Sequence, residues 1–147
     1  MIGRREVLAG LVLTAFVRPA SATPERMAAA IAAFSGNATP KPGRIHLEIA
    51  KLIDNGNTVP ITVTVESPMS AADHVTDIAI FNERNPETEV IRCMLGPRAG
   101  KAEVSTRIRL ATSQKLVAIA RMNDGSCWTH TVDVIVALAA CLEGEAP

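Results

Sequence analysis

The chain has no tyrosine, one tryptophan and three phenylalanines in 147 residues. An interior of stacked rings is therefore excluded, and a core must be assembled from Val, Ile, Leu, Ala and Met. Charge of one sign is also missing: formal net charge is zero and no basic patch stands out, which excludes the surface that nucleic-acid binders use to neutralise phosphates. No apolar run reaches the roughly 20 residues that a membrane-spanning helix needs. Repeats are absent too, and apart from one alanine-rich stretch so is low complexity, so no solenoid or linker is indicated. Cysteine is scarce and odd in number: Cys93, Cys127 and Cys141. At least one thiol is then left unpaired within the chain.

What is present begins with an export signal. Arg4-Arg5 precedes the apolar run Ala9 to Val17 and then Ala20-Ser21-Ala22, a short h-region with a small-x-small cleavage site. The paired arginines fit the twin-arginine type, so residues 1–22 are read as a twin-arginine signal peptide, with the mature chain starting at Thr23 in the periplasm. Loss of Arg4, Arg5, Arg18 and Glu6 leaves 12 basic and 14 acidic side chains, a mildly acidic protein. An oxidising compartment sharpens the meaning of an unpaired thiol.

The mature chain, short enough for one domain, opens with a helix. Thr23-Pro24-Glu25 supplies an N-cap, a proline at the first helical position and an acidic first turn. Met27, Ile31 and Phe34 form one apolar face, and the helix should end near Ser35-Gly36. After the loop Thr39-Pro40-Lys41-Pro42-Gly43 the pattern switches to period two. Val59, Ile61, Val63 and Val65 alternate with Pro60, Thr62 and Thr64, and Pro60 calls for a sheet edge or a side free of hydrogen bonding. In Glu103 to Leu110 the side carrying Arg107 and Arg109 should face water. Weaker strands are read at Ile45–Ile49, Val75–Phe81, Val90–Leu95, Leu116–Met122 and Cys127–Leu138, with turns at Asn55-Gly56 and Asp124-Gly125. About seven short strands without a crossover helix predict an all-β, immunoglobulin-like antiparallel sandwich over residues 23–138 with a short N-terminal helix.

The remaining residues, 139–147, form a tail carrying Cys141. It lies beyond the last strand, among small residues and close to the end of the sequence, where a thiol is exposed and can reach other proteins. On position alone, an incidental tail cysteine or an intermolecular disulfide is an equal alternative. Cys93 shares parity with Ile91 and Leu95, which makes it a buried strand thiol, with a Cys93–Cys127 disulfide as the lesser alternative. Cys127 and His130 are three apart and so face opposite ways on a strand, leaving no metal site in view. His46, His74 and His130 are scattered, and each reads as a surface or packing residue, not a base for Cys141.

Several segments in order carry a resemblance: Gly56-Asn57-Thr58-Val59-Pro60-Ile61, Glu66-Ser67-Pro68-Met69, Gly100-Lys101-Ala102-Glu103 through Leu110, and Asn123-Asp124-Gly125-Ser126. Behind a twin-arginine signal, this series resembles the SoxY family of the periplasmic thiosulfate-oxidising (Sox) system over nearly the whole mature chain. The resemblance implies an immunoglobulin-like fold and a carrier, not an enzyme, that holds thiosulfate-derived intermediates covalently on its C-terminal cysteine, here Cys141. It implies a heterodimer with a SoxZ-like subunit. It also implies dealings with a haem enzyme that couples thiosulfate to the thiol, a dimanganese hydrolase that releases sulfate, and a sulfane dehydrogenase. No cofactor is expected on the carrier itself. The family ends typically in Gly-Gly-Cys-Gly-Gly, whereas here the arm is Ala139, Ala140, Cys141 and Leu142, followed by Glu143. Alanine stiffens an arm relative to glycine, so the alternative is a divergent member that keeps the fold and pairing without carrier cycling.

Overall fold

A computed structural model describes residues 21–138 of the chain. The helix α1 spans Pro24–Ser35, capped as the sequence requires: the Arg26 N–H donates to Thr23 Oγ1 at 3.1 Å. Nine strands follow: β1 (Lys41–Pro42), β2 (Ile45–Glu48), β3 (Leu52–Asn55), β4 (Val59–Val65), β5 (Val75–Asn82), β6 (Glu89–Met94), β7 (Glu103–Ile108), β8 (Gln114–Met122) and β9 (Cys127–Leu138). β2, β4 and β7 form a three-stranded antiparallel sheet with β4 in the middle. The second sheet runs β1-β9-β8-β5-β6, with β3 also pairing β9.

The two inner faces meet in one apolar cluster. Leu47, Ile61 and Val63 come from the smaller sheet and Ile78, Ile80, Leu116 and Ala118 from the larger. This is the expected sandwich, with all seven expected strands in place and Val59–Val65 and Cys127–Leu138 ending where the alternation ends. β1 and β3 are additions. Each is too short to alternate, and Pro42 marks the first as loop by composition. Both lie parallel to β9, Lys41 opposite Trp128 and Leu52 opposite Ile135, so the sandwich is not wholly antiparallel.

A second cluster lies on the outer face of the larger sheet. Met27 and Phe34 of α1 cover Ala79, Phe81, Val117, Ile119 and Cys127, with Phe34 edge-on to Phe81 at 5.8 Å. The middle of β5 and β8 is therefore buried on both faces, which is why those strands read as continuous apolar runs and not as clean alternation. Arg121 of β8 fastens the helix: its guanidinium pairs with Asp77 at 2.7 Å, donates to the Phe34 carbonyl at 3.0 Å and lies over the Phe34 ring. A cation at the carbonyl end of a helix also meets the negative end of its dipole.

Pro60 explains its own place. The β2 ladder on β4 stops at Glu48 opposite Thr62, whereas β7 continues past Pro60 to Val59. The proline thus sits in a central strand but beyond the reach of one neighbour, as its missing N–H requires. Asp124-Gly125 turns β8 into β9 with Gly125 at φ +86° and the Met122 N–H donating to the Ser126 carbonyl at 2.9 Å. Asn55-Gly56 also turns the chain, through an Asn57 N–H to Asn55 Oδ1 bond of 2.9 Å. It joins strands of different sheets and is not a hairpin.

Candidate functional site

β9 leads toward the arm. Its twelve residues pair with β8 from Cys127 to Val134 and with β3 from Ile135 to Leu138, where Asn55 stands opposite Leu138. Cys141 and the arm residues Ala139, Ala140 and Leu142 lie outside the described residues. What the fold supplies is the stretch before the tail: β9 passes from pairing with β8, which ends at Val134, to pairing with β3 as far as Leu138, with the Val136 N–H also donating to Ser113 Oγ at 2.8 Å.

Around that stretch the surface is apolar with an acidic rim. A groove of about 690 Å³ runs between β3 and β4 over Ile53, Val59 and Ile61, flanked by Glu48 and Asp54, with no Lys or Arg among the residues that line it. Carboxylates without cations do not attract an anionic sulfur group. Leu52 and Ile135, partners in the β3–β9 ladder, are 63% and 62% exposed, whereas Met94, 81% exposed, stands apart on β6 at the opposite edge of the sheet. Large apolar side chains left in water beside one another mark a contact surface more often than isolated ones do.

The two described cysteines are free thiols, so the Cys93–Cys127 disulfide does not form. They stand far apart in the architecture: Cys93 is on edge strand β6, opposite Ile78, whereas Cys127 begins β9 beneath α1. Cys127 is 2% exposed, and burial raises its thiol above the ordinary value, which leaves little thiolate for chemistry. Cys93 is half-buried, as are its parity partners Ile91 and Leu95. The expected parity holds, but the side chain is less enclosed than a core thiol because β6 is the last strand of its sheet.

No group of three or more potential ligands that could hold a metal ion occurs among the described residues. Cys127 points to the helix side while His130 reaches the seam between the sheets, on opposite faces of β9 as their spacing requires. His74 bonds locally, its Nδ1 2.9 Å from the Ser70 carbonyl. His46 and His130, however, are brought together: their rings stack with centroids 5.0 Å apart, and the Leu47 N–H donates to His130 Nδ1 at 2.9 Å. Sequence reasoning missed this pair. Eighty-four positions separate the two residues, and no local pattern encodes a contact made by β2 crossing to the other sheet.

The geometry agrees with comparison to known proteins. No curated protein sequence matches the chain. The SoxY sulfur carrier protein from Chlorobium limicola f thiosulfatophilum superposes with a TM-score of 0.64 at 29% identity, covering 76% of this chain and 96% of that one. A superoxide reductase (neelaredoxin) from Ignicoccus hospitalis gives 0.57 at 19% identity over 78% of this chain and 94% of its own. One from Nanoarchaeum equitans gives 0.55 at 17%, over 65% and 100%. At those identities the reductases share the fold alone. The family described as sulfur oxidation protein SoxY matches residues 31–141, a span that ends on Cys141, and the chain therefore belongs to the SoxY family.

Proposed function

We propose that this protein is a sulfur-compound carrier of the periplasmic Sox system, exported by the twin-arginine route, and that it holds thiosulfate-derived intermediates covalently on Cys141. The observation that carries the reading is the family match ending on Cys141, three residues beyond Leu138, where β9 is still paired with β3. The fold supports it by elimination: Cys127 is buried and Cys93 is half-buried in an edge strand, which leaves the tail thiol best suited to visit other proteins. Loading joins the thiolate sulfur to the outer sulfur of thiosulfate, and the two electrons released pass to the haem enzyme. The dimanganese hydrolase then frees sulfate, and the sulfane dehydrogenase oxidises the sulfur left behind. The carrier contributes the attachment point and no catalysis of its own. A SoxZ-like subunit is the structural partner, and the exposed Leu52–Ile135 pair on that ladder suits such a contact.

Intact mass spectrometry after incubation with thiosulfate and the partner enzymes tests this. Sulfur adducts present in the wild type and absent in Cys141→Ser are expected, and an unmodified wild-type chain overturns the carrier role. A second reading is favoured by one observation, the replacement of the expected glycines by Ala139 and Ala140 with Leu142 and Glu143 following. It takes the protein as a divergent member that pairs with the SoxZ-like subunit without cycling, and normal heterodimer formation with no adduct would select it.

A further inference from the structure

β2 and β9 belong to different sheets, yet they are joined where the chain leaves the larger one. β1 covers the edge of β9 at Trp128 and Thr129, and β3 covers it again from Ile135. Between them the chain detours through β2. In that gap the Leu47 N–H donates to His130 Nδ1 at 2.9 Å and the His46 imidazole stacks on His130, the planes 20° apart. A groove of about 530 Å³ opens beside the two rings.

A ring nitrogen that accepts a hydrogen bond cannot carry a proton, so this arrangement requires neutral His130 with its hydrogen on Nε2. The imidazolium has N–H groups at both positions. It would turn a donor toward the Leu47 N–H and place a charge against the face of His46. Burial first, and His46 second, lower the proton affinity of His130 below the ordinary value of 6.5. The other charged groups facing the pair are Glu48 on β2, Lys51 in the β2–β3 connection and Asp133 on β9, the last bridged by Lys115 of β8 at 3.8 Å. Two carboxylates are thus matched by two ammonium groups, and neither sign dominates.

We propose that His46 and His130 form a proton-released latch between the two sheets: with His130 neutral, the Leu47 bond and the stacked His46 ring fasten β2 to β9, and protonation of His130 in mild acid frees it and widens the groove. The sign follows from the linkage between binding and conformation. A group that binds its proton more weakly when closed favours the open form as pH falls through the interval between its closed-state and free values. β9 is the strand from which the arm grows, so the element steadied by the latch is the one that leads to Cys141. The proposal needs no sulfur loading and stands apart from the carrier reading.

Amide hydrogen exchange resolved by NMR, corrected for the intrinsic rate, tests it on the full mature chain between about pH 7.5 and pH 5. Protection of the Leu47 amide relative to Val63 should fall about tenfold or more across that range in the wild type. His130→Gln, whose side-chain oxygen can still accept from Leu47, should abolish the dependence, and His46→Asn should weaken it. Leu47 protection that does not change with pH, or that changes equally in His130→Gln, overturns the latch. Should His130→Gln fail to fold, the ring resonances of wild-type His130 decide. A titration midpoint below that of an ordinary histidine supports the latch, and a midpoint at or above it overturns it.

Discussion

Cys127 and Cys93 are both free thiols, but their surroundings set different reactivities. The raised proton affinity of Cys127 beneath α1 predicts labelling by a neutral alkylating agent about tenfold or more slower than at half-buried Cys93, read by mass spectrometry of the folded Cys141→Ser variant. Equal rates would mean that α1 opens readily. On the arm, replacing Ala139 and Ala140 with glycine and ending the chain after Cys141 should raise the rate of sulfur loading severalfold if stiffness and bulk limit it, measured by time-resolved intact mass. Single residues were legible in the sequence where their chemistry is local. Thr23 as a cap, Pro60 as a residue needing a free side and Gly125 as a turn residue all stand as read. Cys93 is less enclosed than its parity suggested, because parity gives a face and not a position within the sheet.

At the scale of elements, α1 and β8 are held together by Arg121, and removing either partner of its ion pair has an unequal result. Arg121→Ala leaves Asp77, 8% exposed, without a counter-ion. It should cost roughly 2–3 kcal/mol in a urea melt, less than a fully buried pair because the arginine is part-exposed. Asp77→Ala leaves the cation room to turn into water and should cost less than Arg121→Ala. Gly125→Ala, at φ +86°, should cost roughly 1–2 kcal/mol through backbone strain in the β8–β9 turn. β4, with clear alternation, was legible to the residue, as was the weaker-patterned β9, whereas the equally clear β7 ends at Ile108, two residues short of its reading. β1 and β3 were not, since strands of two and four residues that pair in parallel with a partner some 85 positions away carry no alternation to detect. The centre of β5 and β8 read weakly for the opposite reason: burial on both faces removes the contrast on which periodicity depends.

Across the whole molecule, the sandwich was legible because seven short strand-like runs separated by turn residues, with no crossover helix among them, admit few architectures. The contact between β2 and β9 was not, since it is made only once both sheets are assembled. That contact gives the domain a pH-dependent stability. His130 is held below its ordinary proton affinity by burial and by His46, so the unfolded chain binds the extra proton more readily. Stability is then full above about pH 6.5 and declines as pH falls through the folded-state value, seen as a falling urea midpoint that flattens in His130→Gln. The exposed Leu52–Ile135 pair predicts that Leu52→Asp with Ile135→Lys lowers affinity for a SoxZ-like subunit at least tenfold while leaving the melting curve of the isolated domain nearly unchanged, measured by titration calorimetry.

The lateral support of β9 has a mechanical consequence. A pull along the axis of β9 meets bonds to β8 and β3 that lie across that axis. Such a load falls on many rungs in shear together instead of peeling them singly, so under the proposed carrier role a tug on this strand would leave the body behind it folded.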